Sequence, residues 1–256
     1  MNLDHFINRV KLRYRRDGLT SIPTSGFRLG CRQLGLFPAL VRARLRLDSV
    51  RYNCSATPDP LERYYVDPTE IKYYLLQPPQ YRDVYRWFGR IKPGKWDVNA
   101  STIEESKKYQ GVVQRYIDGR EWRDTVVVDY MLKLVLEGKY PDSCTSPRDI
   151  EERYKEIDEL YENIRSDGYK PDNELSLSRG EIGDVALAIG RNGELILHGD
   201  GIHRVAIARV LDLDTIPARI SMRHLQWQRL REEIVNKERD PGSLSDHVDL
   251  QDLPTV

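Results

Sequence analysis

The chain has 256 residues, of which 39% are hydrophobic and 31% are charged, and its 40 basic and 40 acidic residues cancel. This composition is ordinary for a globular protein in water. Because no apolar run approaches the roughly 18 residues of a transmembrane helix, a membrane-spanning segment is excluded. The N-terminus lacks the apolar segment of a secretory signal, so we expect a cytoplasmic protein. Three widely spaced cysteines (Cys31, Cys54 and Cys144) predict reduced thiols, and no metal-ligand spacing is present.

The first fifty residues are basic and are predicted to form a helical N-terminal arm over residues 1–53. Apolar residues at helical spacing predict one helix over 2–16, and a second is expected from about 27 to 47 with Pro38 breaking or kinking it. A basic arm can contact nucleic acid, an anionic lipid surface or the protein's own acidic surface, and it can also be a solvated helix face. We favour packing of its apolar stripe over binding of nucleic acid.

Residues 54–60 form a turn-rich linker, and strand and loop are expected over 66–100. Two helices should follow, the first capped by Ser101 or Thr102 and ending near Gly119. The second should begin at Asp124-Thr125 and end at Gly138, so that a helical block covers about 100–140. Ser146-Pro147 then predicts the start of a long amphipathic helix that ends at Asp167-Gly168.

The next segment, 185–220, predicts strand, hairpin turn, strand, glycine loop, helix, short loop and strand. Asn192-Gly193 is the preferred pair for a two-residue hairpin turn, since both residues tolerate positive φ. Trp96, Trp122 and Trp227 are interpreted as packing residues. Beyond residue 236 the sequence is acidic and lacks apolar periodicity, so residues 236–256 are predicted to be disordered.

The glycine loop is the main candidate site. Gly199 and Gly201 lie where a strand passes into a helix, where free backbone N–H groups and the positive end of a helix dipole favour an anion such as phosphate. His203 and Arg204 open the helix and add cationic or hydrogen-bonding groups. A strand-to-helix turn can also need glycine for backbone geometry alone.

The order of elements resembles the ParB/sulfiredoxin superfamily. In that superfamily a Gly-x-His-Arg or Gly-Glu-Arg-Arg box follows a hairpin and opens a helix, and an Ile-Pro-Val strand closes the unit. Here the box reads Gly201-Ile202-His203-Arg204 and the closing strand begins Ile216-Pro217-Ala218. The similarity covers roughly 62–76 and 146–222. It implies an α+β fold: a small mixed sheet of ParB/sulfiredoxin type within 54–235, carrying the helical arm and the helical insertion.

The resemblance also implies a nucleotide-binding protein. The backbone of Gly199, Gly201 and Ile202, with His203 and Arg204, would hold the phosphates of ATP, ADP or CTP with Mg²⁺, for phosphotransfer or NTP hydrolysis. Because Ile202 occupies the position of the sulfiredoxin nucleophile, and no cysteine lies near the box, sulfinic-acid repair is disfavoured. The acceptor would be a small molecule that the sequence does not identify.

Asp200, His203 and Glu174 are the candidate catalytic residues. Asp200 lies beside the expected phosphates and could ligate Mg²⁺ or act as a base, or it could be a turn residue. His198 precedes the box, and His224 follows the closing strand and could return to the same cleft. Two other functions stay open: a DNA-associated ParB-like protein that uses the basic arm, and a non-catalytic adaptor. The helix-turn-helix domain of partition proteins is missing.

Overall fold

A computed structural model describes residues 36–75, 84, 87–170, 184–199 and 201–253. The strands are β1 (Tyr64–Val66), β2 (Tyr73–Leu75), β3 (Arg90–Lys92), β4 (Ser101–Thr102), β5 (Val185–Ile189), β6 (Leu195–His198) and β7 (Ile216–His224). The α-helices are α1 (Phe37–Tyr52), α2 (Lys107–Tyr116), α3 (Val126–Leu136), α4 (Pro147–Asp167), α5 (Ile202–Val210) and α6 (Leu225–Val235). In this part of the chain no helix has the length and apolar character needed to cross a membrane.

The strands form one mixed sheet, as the sequence predicted. Its order is β1–β7–β5–β6–β2–β4, and β3 pairs with the second half of β7. β5 and β7 are parallel, as are β2 and β6, whereas β5 and β6 form the antiparallel hairpin. The centre of the sheet therefore comes from residues 185–224, and its outer strands come from earlier in the chain.

The predicted hairpin is confirmed, but its turn is of another kind. The Gly193 N–H donates to the Gly190 carbonyl at 3.2 Å, and the Gly190 N–H donates to the Glu194 carbonyl at 2.9 Å. Only Gly193 has positive φ, at 93°. Asn192 does not, because its backbone N–H and side-chain amide are both held by the Glu194 carboxylate at 3.1 and 2.8 Å. The hairpin loop therefore has three residues, 191–193, and ends in a bulge at Gly193, whereas the predicted loop has two residues.

The long helix α4 has the predicted ends. Ser146 accepts from the backbone N–H of Asp149, whose carboxylate accepts from the Ser146 N–H, so the helix begins with a capping box. Gly168 follows its last residue with φ 75°. Tyr154, Ile157 and Ile164 lie on its buried face.

The predicted cap of the first inserted helix is wrong. Ser101 and Thr102 form strand β4, paired with Tyr74 and Tyr73 of β2. α2 begins instead at Lys107, with the Ser106 side chain accepting from the Lys108 N–H at 3.2 Å. The two hydroxyl residues extend the sheet because β2 offers them backbone partners. α3 begins directly after Thr125, as expected.

Helix α5 is buried on two sides. Ile202, Val205 and Ala208 belong to the core formed with the sheet, whereas Ala206 and Ile207 belong to the core formed with α2, α3 and α4. The inserted helices therefore pack on the opposite side of α5 from the sheet. This arrangement fixes the position of the first turn of α5.

The N-terminal arm is described only from residue 36 onward, where it is helical as predicted. Residues 1–35, with the helix predicted over 2–16, lie outside the described residues. Pro38 does not kink a helix, because it lies in the first turn of α1, where its missing N–H has no intrahelical partner to lose. Asp48 of α1 is buried and accepts from the Ile91 N–H of β3 at 3.0 Å.

The prediction of a disordered tail is wrong for the described residues up to 253. Val248 and Leu250 belong to the main core, and Asp249 is fully buried between them. The tail is held by buried ionic contacts rather than by a periodic apolar face, so its sequence shows no helical or strand pattern.

Candidate functional site

The glycine box lies at the C-terminal end of strand β6, where the chain passes into α5. Gly199 and Gly201 have φ of 86° and 150°, values that other residues rarely adopt. A Cβ on Gly201 would also lie 3.3 Å from the Leu197 side chain. Gly201 is the N-cap of α5 and has no side chain to cap this end, and the first turn carries no acidic residue. Asp200 lies outside the described residues.

Ile202 contributes only its backbone to the box surface. Its side chain is buried in the core with the sheet. It therefore holds the first turn of α5 against the sheet, which sets the direction of the backbone N–H groups at this helix end.

His203 is buried rather than exposed at the box. It is 6% exposed, and its ring packs edge-to-face on Tyr154 of α4 with 5.9 Å between ring centroids. Burial, followed by the positive charge of Lys108, lowers the pKa of His203 to about 3, although the Asp142 carboxylate opposes this shift. The imidazole is therefore neutral near pH 7, and it can act as a hydrogen-bonding group but not as a cation.

Arg204 lies on a different face of α5 and is half-buried. Its guanidinium shares a side-chain hydrogen bond with the phenol of Tyr169, which follows the C-terminal glycine of α4. Burial raises the pKa of Tyr169 to about 12, so the phenol keeps its proton. The structure thus brings Arg204 and Tyr169 together beside the box.

A buried carboxylate and two further arginines lie at the start of β5, the strand that faces the box. Asp184 is 1% exposed and accepts from Arg63 Nε and Arg219 Nε, both at 2.8 Å. Val185, the next residue, is within 3.7 Å of the position that a Cβ on Gly201 would occupy. Both arginines are therefore paired, and Arg219, which alternates with the α5-facing Ala218 and Ile220, lies on the face of the sheet away from α5.

The helical insertion adds polar residues that sequence reasoning missed. Asp142, in the loop between α3 and α4, pairs with Lys108 of α2 at 2.5 Å and with Arg153 of α4 at 3.8 Å. Burial alone would raise the pKa of Asp142. The charge and hydrogen bond of Lys108 and the charge of Arg153 outweigh burial and hold this pKa at about 2. Asp142 also has φ of 50°, which is uncommon for a residue with a side chain. No motif marks these residues, because they come from three separate segments.

The predicted residue His198 has a structural role within the sheet. His198 Nδ1 lies 2.6 Å from Ser221 Oγ, and the Ser221 hydroxyl donates to the Leu187 carbonyl at 2.7 Å. Since the serine proton is used there, His198 Nδ1 is the donor to Ser221. Ser221 is the extra residue at the irregularity between β5 and β7. Glu174 lies outside the described residues.

The expectation that His224 returns to the box is wrong. It lies at the opposite end of β7, where Nε2 donates to the Gly94 carbonyl at 2.9 Å. Its Nδ1 accepts from the Gln226 N–H at 3.0 Å and so caps α6.

No family model, curated protein or solved structure matches this chain. Among the described residues no group of three or more histidine, cysteine, aspartate or glutamate side chains is placed to hold a metal ion. The site is therefore interpreted from its own geometry.

Proposed function

We propose that this protein binds a nucleotide, with its phosphates at the N-terminus of α5, and that it catalyses phosphotransfer or NTP hydrolysis. One observation carries the proposal. The first turn of α5 follows two positive-φ glycines at the end of β6, has a glycine as its N-cap residue, and carries Arg204. Backbone N–H groups and the helix dipole at such an end favour a phosphate.

Charge around the box supports an anionic ligand. Arg204 is in the first turn, whereas Arg63 and Arg219 at the start of β5 are already paired with Asp184. Arginine suits phosphate because its planar guanidinium presents paired donors. Phosphoryl transfer depends mainly on positioning and on neutralising charge, to which Arg204 would contribute.

Thiol chemistry is disfavoured by the described cysteines. Cys144 is buried, and desolvation raises the pKa of its thiol to about 11. Burial also raises the pKa of Cys54. Ile202 occupies the position where the resembling family has its nucleophile, so a box of this composition suits phosphate binding better than sulfinic-acid repair.

ATP, ADP or CTP with Mg²⁺ are the candidate ligands. Mg²⁺ is usually held through substrate phosphates and one or two carboxylates. The acceptor would be a small molecule.

The test is binding of ATP, ADP, CTP and GTP with Mg²⁺, measured by thermal shift and calorimetry. We expect at least one nucleotide to stabilise the protein, by about 2.7 kcal/mol at a hundredfold excess over its Kd. Arg204→Gln should weaken that nucleotide about ten- to a hundredfold, since a charge-assisted contact contributes about 1.5–3 kcal/mol.

Arg148→Gln is the matched control, because Arg148 is on α4 and its side chain is 85% exposed. It should leave the affinity unchanged. A protein that no nucleotide stabilises at millimolar concentration would refute the proposal. So would equal losses in Arg204→Gln and Arg148→Gln, with both variants folded by circular dichroism.

A further inference from the structure

Four polar side chains meet on the side of α5 that faces the inserted helices, and we call them the insertion cluster: Lys108, Asp142, Arg153 and His203. They come from the first turn of α2, the α3–α4 loop, the second turn of α4 and the first turn of α5. Lys108 contacts Asp142 at 2.5 Å, and Arg153 lies 3.8 Å from the same carboxylate. The charges of Lys108, Arg153 and Asp142 all act on His203.

Two nitrogen atoms in this cluster have no hydrogen-bond partner among the residues that the structure describes. They are His203 Nε2 and Arg153 Nε, and both atoms are buried. Of the two atoms, His203 Nε2 is the stronger evidence for a ligand, because the whole residue is only 6% exposed. Buried polar atoms in folded proteins are nearly always paired, so such atoms at one place indicate a missing partner.

The donors beside His203 indicate which kind of partner fits. Two cations, Lys108 and Arg153, lie beside the carboxylate of Asp142. The Glu156 carboxylate pairs with the outer nitrogen of Arg153 at 2.8 Å and is 64% exposed. An added oxyanion would accept from Arg153 Nε, which is 3.8 Å from the Asp142 carboxylate, and from His203 in its Nε2–H tautomer.

The cluster is not sealed from solvent. The side chains of Lys108 and Arg153 are 26% and 35% exposed. Both are long and flexible, so they can admit a small ligand without movement of the helices.

We propose that Lys108, Arg153 and His203 form a binding site for a small oxyanion, a phosphate or a carboxylate group of the substrate, on the insertion side of the α5 first turn. Asp142 positions Lys108 within it. This inference rests on the proposed function and deepens it, because it makes the helical insertion one half of the substrate site.

The experiment follows the imidazole ¹⁵N resonances of the full chain by NMR. The His203 signals are assigned by their absence in His203→Gln, and the protein is titrated with inorganic phosphate, with acetate and with the nucleotide. We expect the His203 Nε2 resonance to shift saturably with at least one of them. A response to phosphate or nucleotide alone identifies a phosphate site, and a response to acetate identifies a carboxylate site.

Two pairs of variants test the cluster without touching the enclosed histidine. Lys108→Gln and Arg153→Gln should each weaken the responding anion about tenfold. Their controls are Lys107→Gln, an exposed neighbour on the same helix turn, and Arg148→Gln on α4, and both should leave the affinity unchanged.

The outcomes separate this inference from the proposed function. If the protein binds a nucleotide but no anion shifts His203, the inference is wrong and the proposed function stands. A saturable phosphate or acetate shift without any nucleotide binding supports the inference and rejects nucleotide binding. Equal losses in Lys108→Gln and Lys107→Gln would mean general surface attraction and would overturn the inference.

Discussion

At the scale of single residues, burial decides the chemistry of His203. Because the ring is enclosed by α2, α4 and α5, its charged form is disfavoured and its pKa falls to about 3. The neutral imidazole adds no further positive charge beside Lys108 and Arg153. The lowered pKa of His203 also makes the free energy of unfolding depend on pH.

We expect wild-type stability to fall as pH decreases from about 8 to 5. Below the ordinary pKa of 6.5 the unfolded chain takes up a proton at this histidine and the folded chain does not. The stabilisation is complete above pH 6.5, and about 2 kcal/mol of it is lost by pH 5. Urea unfolding of wild type and His203→Gln over this range measures the difference.

His203→Gln should lack that slope, whatever its absolute stability. Its comparison with wild type removes the contribution of the other histidines, which are common to both proteins. Parallel pH profiles for the two proteins would show that His203 titrates normally.

Of the cluster residues, only His203 was predictable from the sequence. It belongs to a recognisable box, whereas Asp142 follows a proline in an unremarkable loop and Lys108 and Arg153 read as ordinary helix-surface cations. Their meeting depends on how the inserted helices pack on α5, which is a long-range property. Even for His203 the pattern indicated the location but not the protonation state.

At the scale of elements, α2 and α3 cross closely at Gly111. A Cβ there would lie 2.7 Å from Val127 Cβ, which is too close for two carbon atoms. Gly111 and Val127 both lie in the core shared by the inserted helices, or directly against it. This crossing sets the position of Lys108, which is on the same helix.

Gly111→Ala should destabilise the protein by about 1–3 kcal/mol through overpacking. In an uncrowded helix interior the same change would stabilise by about 0.5–1 kcal/mol, so the sign alone tests the contact. Val127→Ala removes Cγ1, which would lie even closer to the added Cβ at 2.2 Å, and keeps the Val127 Cβ. The double variant Gly111→Ala/Val127→Ala should therefore be more stable than the sum of the single changes predicts, by about 0.5–3 kcal/mol. Urea denaturation of the four proteins gives this cycle, and an additive result would contradict it.

Local signals explain which elements the sequence predicted. α4 has a capping serine and a terminal glycine, and the hairpin has glycines at its turn, so each carries its own boundaries. Strands of two or three residues, such as β1 and β4, have no periodicity to detect. They exist because β7 and β2 supply their partners.

At the scale of the whole molecule, the C-terminal segment is part of the core. Asp249 accepts from Arg223 Nε at 2.9 Å and from Trp227 Nε1 at 2.8 Å, and Arg231 lies 3.6 Å away. All four side chains are almost entirely buried. The neighbouring arginines, Arg223 first, lower the pKa of Asp249, so it stays ionised in spite of burial.

Asp249→Asn should destabilise the protein by about 3–5 kcal/mol, because it leaves the buried Arg223 without its counter-charge, whereas Arg231 keeps its pair with Asp252. Asp246→Asn is the control, since Asp246 is exposed in the same segment. Thermal and urea unfolding measure both. Equal stability of the two variants would show that the tail is not anchored in this way.

The mixed sheet with inserted helices was predictable because the order of elements specifies it. Burial of the tail was not, since it depends on charged residues pairing over long sequence separations. Composition alone describes such a segment as acidic and solvated. The arginines that bind it are in β7 and α6, and no local pattern connects them to it.

The order of the sheet has a consequence for synthesis of the chain. β1 and β2 leave the ribosome long before β7 and β6, the strands with which they pair. β1 and β2 are therefore synthesised first, and they lack these partners until the centre of the sheet has been made. Asp249 arrives later still, so Arg223 and Arg231 find this buried partner only after the centre of the sheet has been made. During that interval the nascent chain exposes edges and apolar surface on which chaperones act.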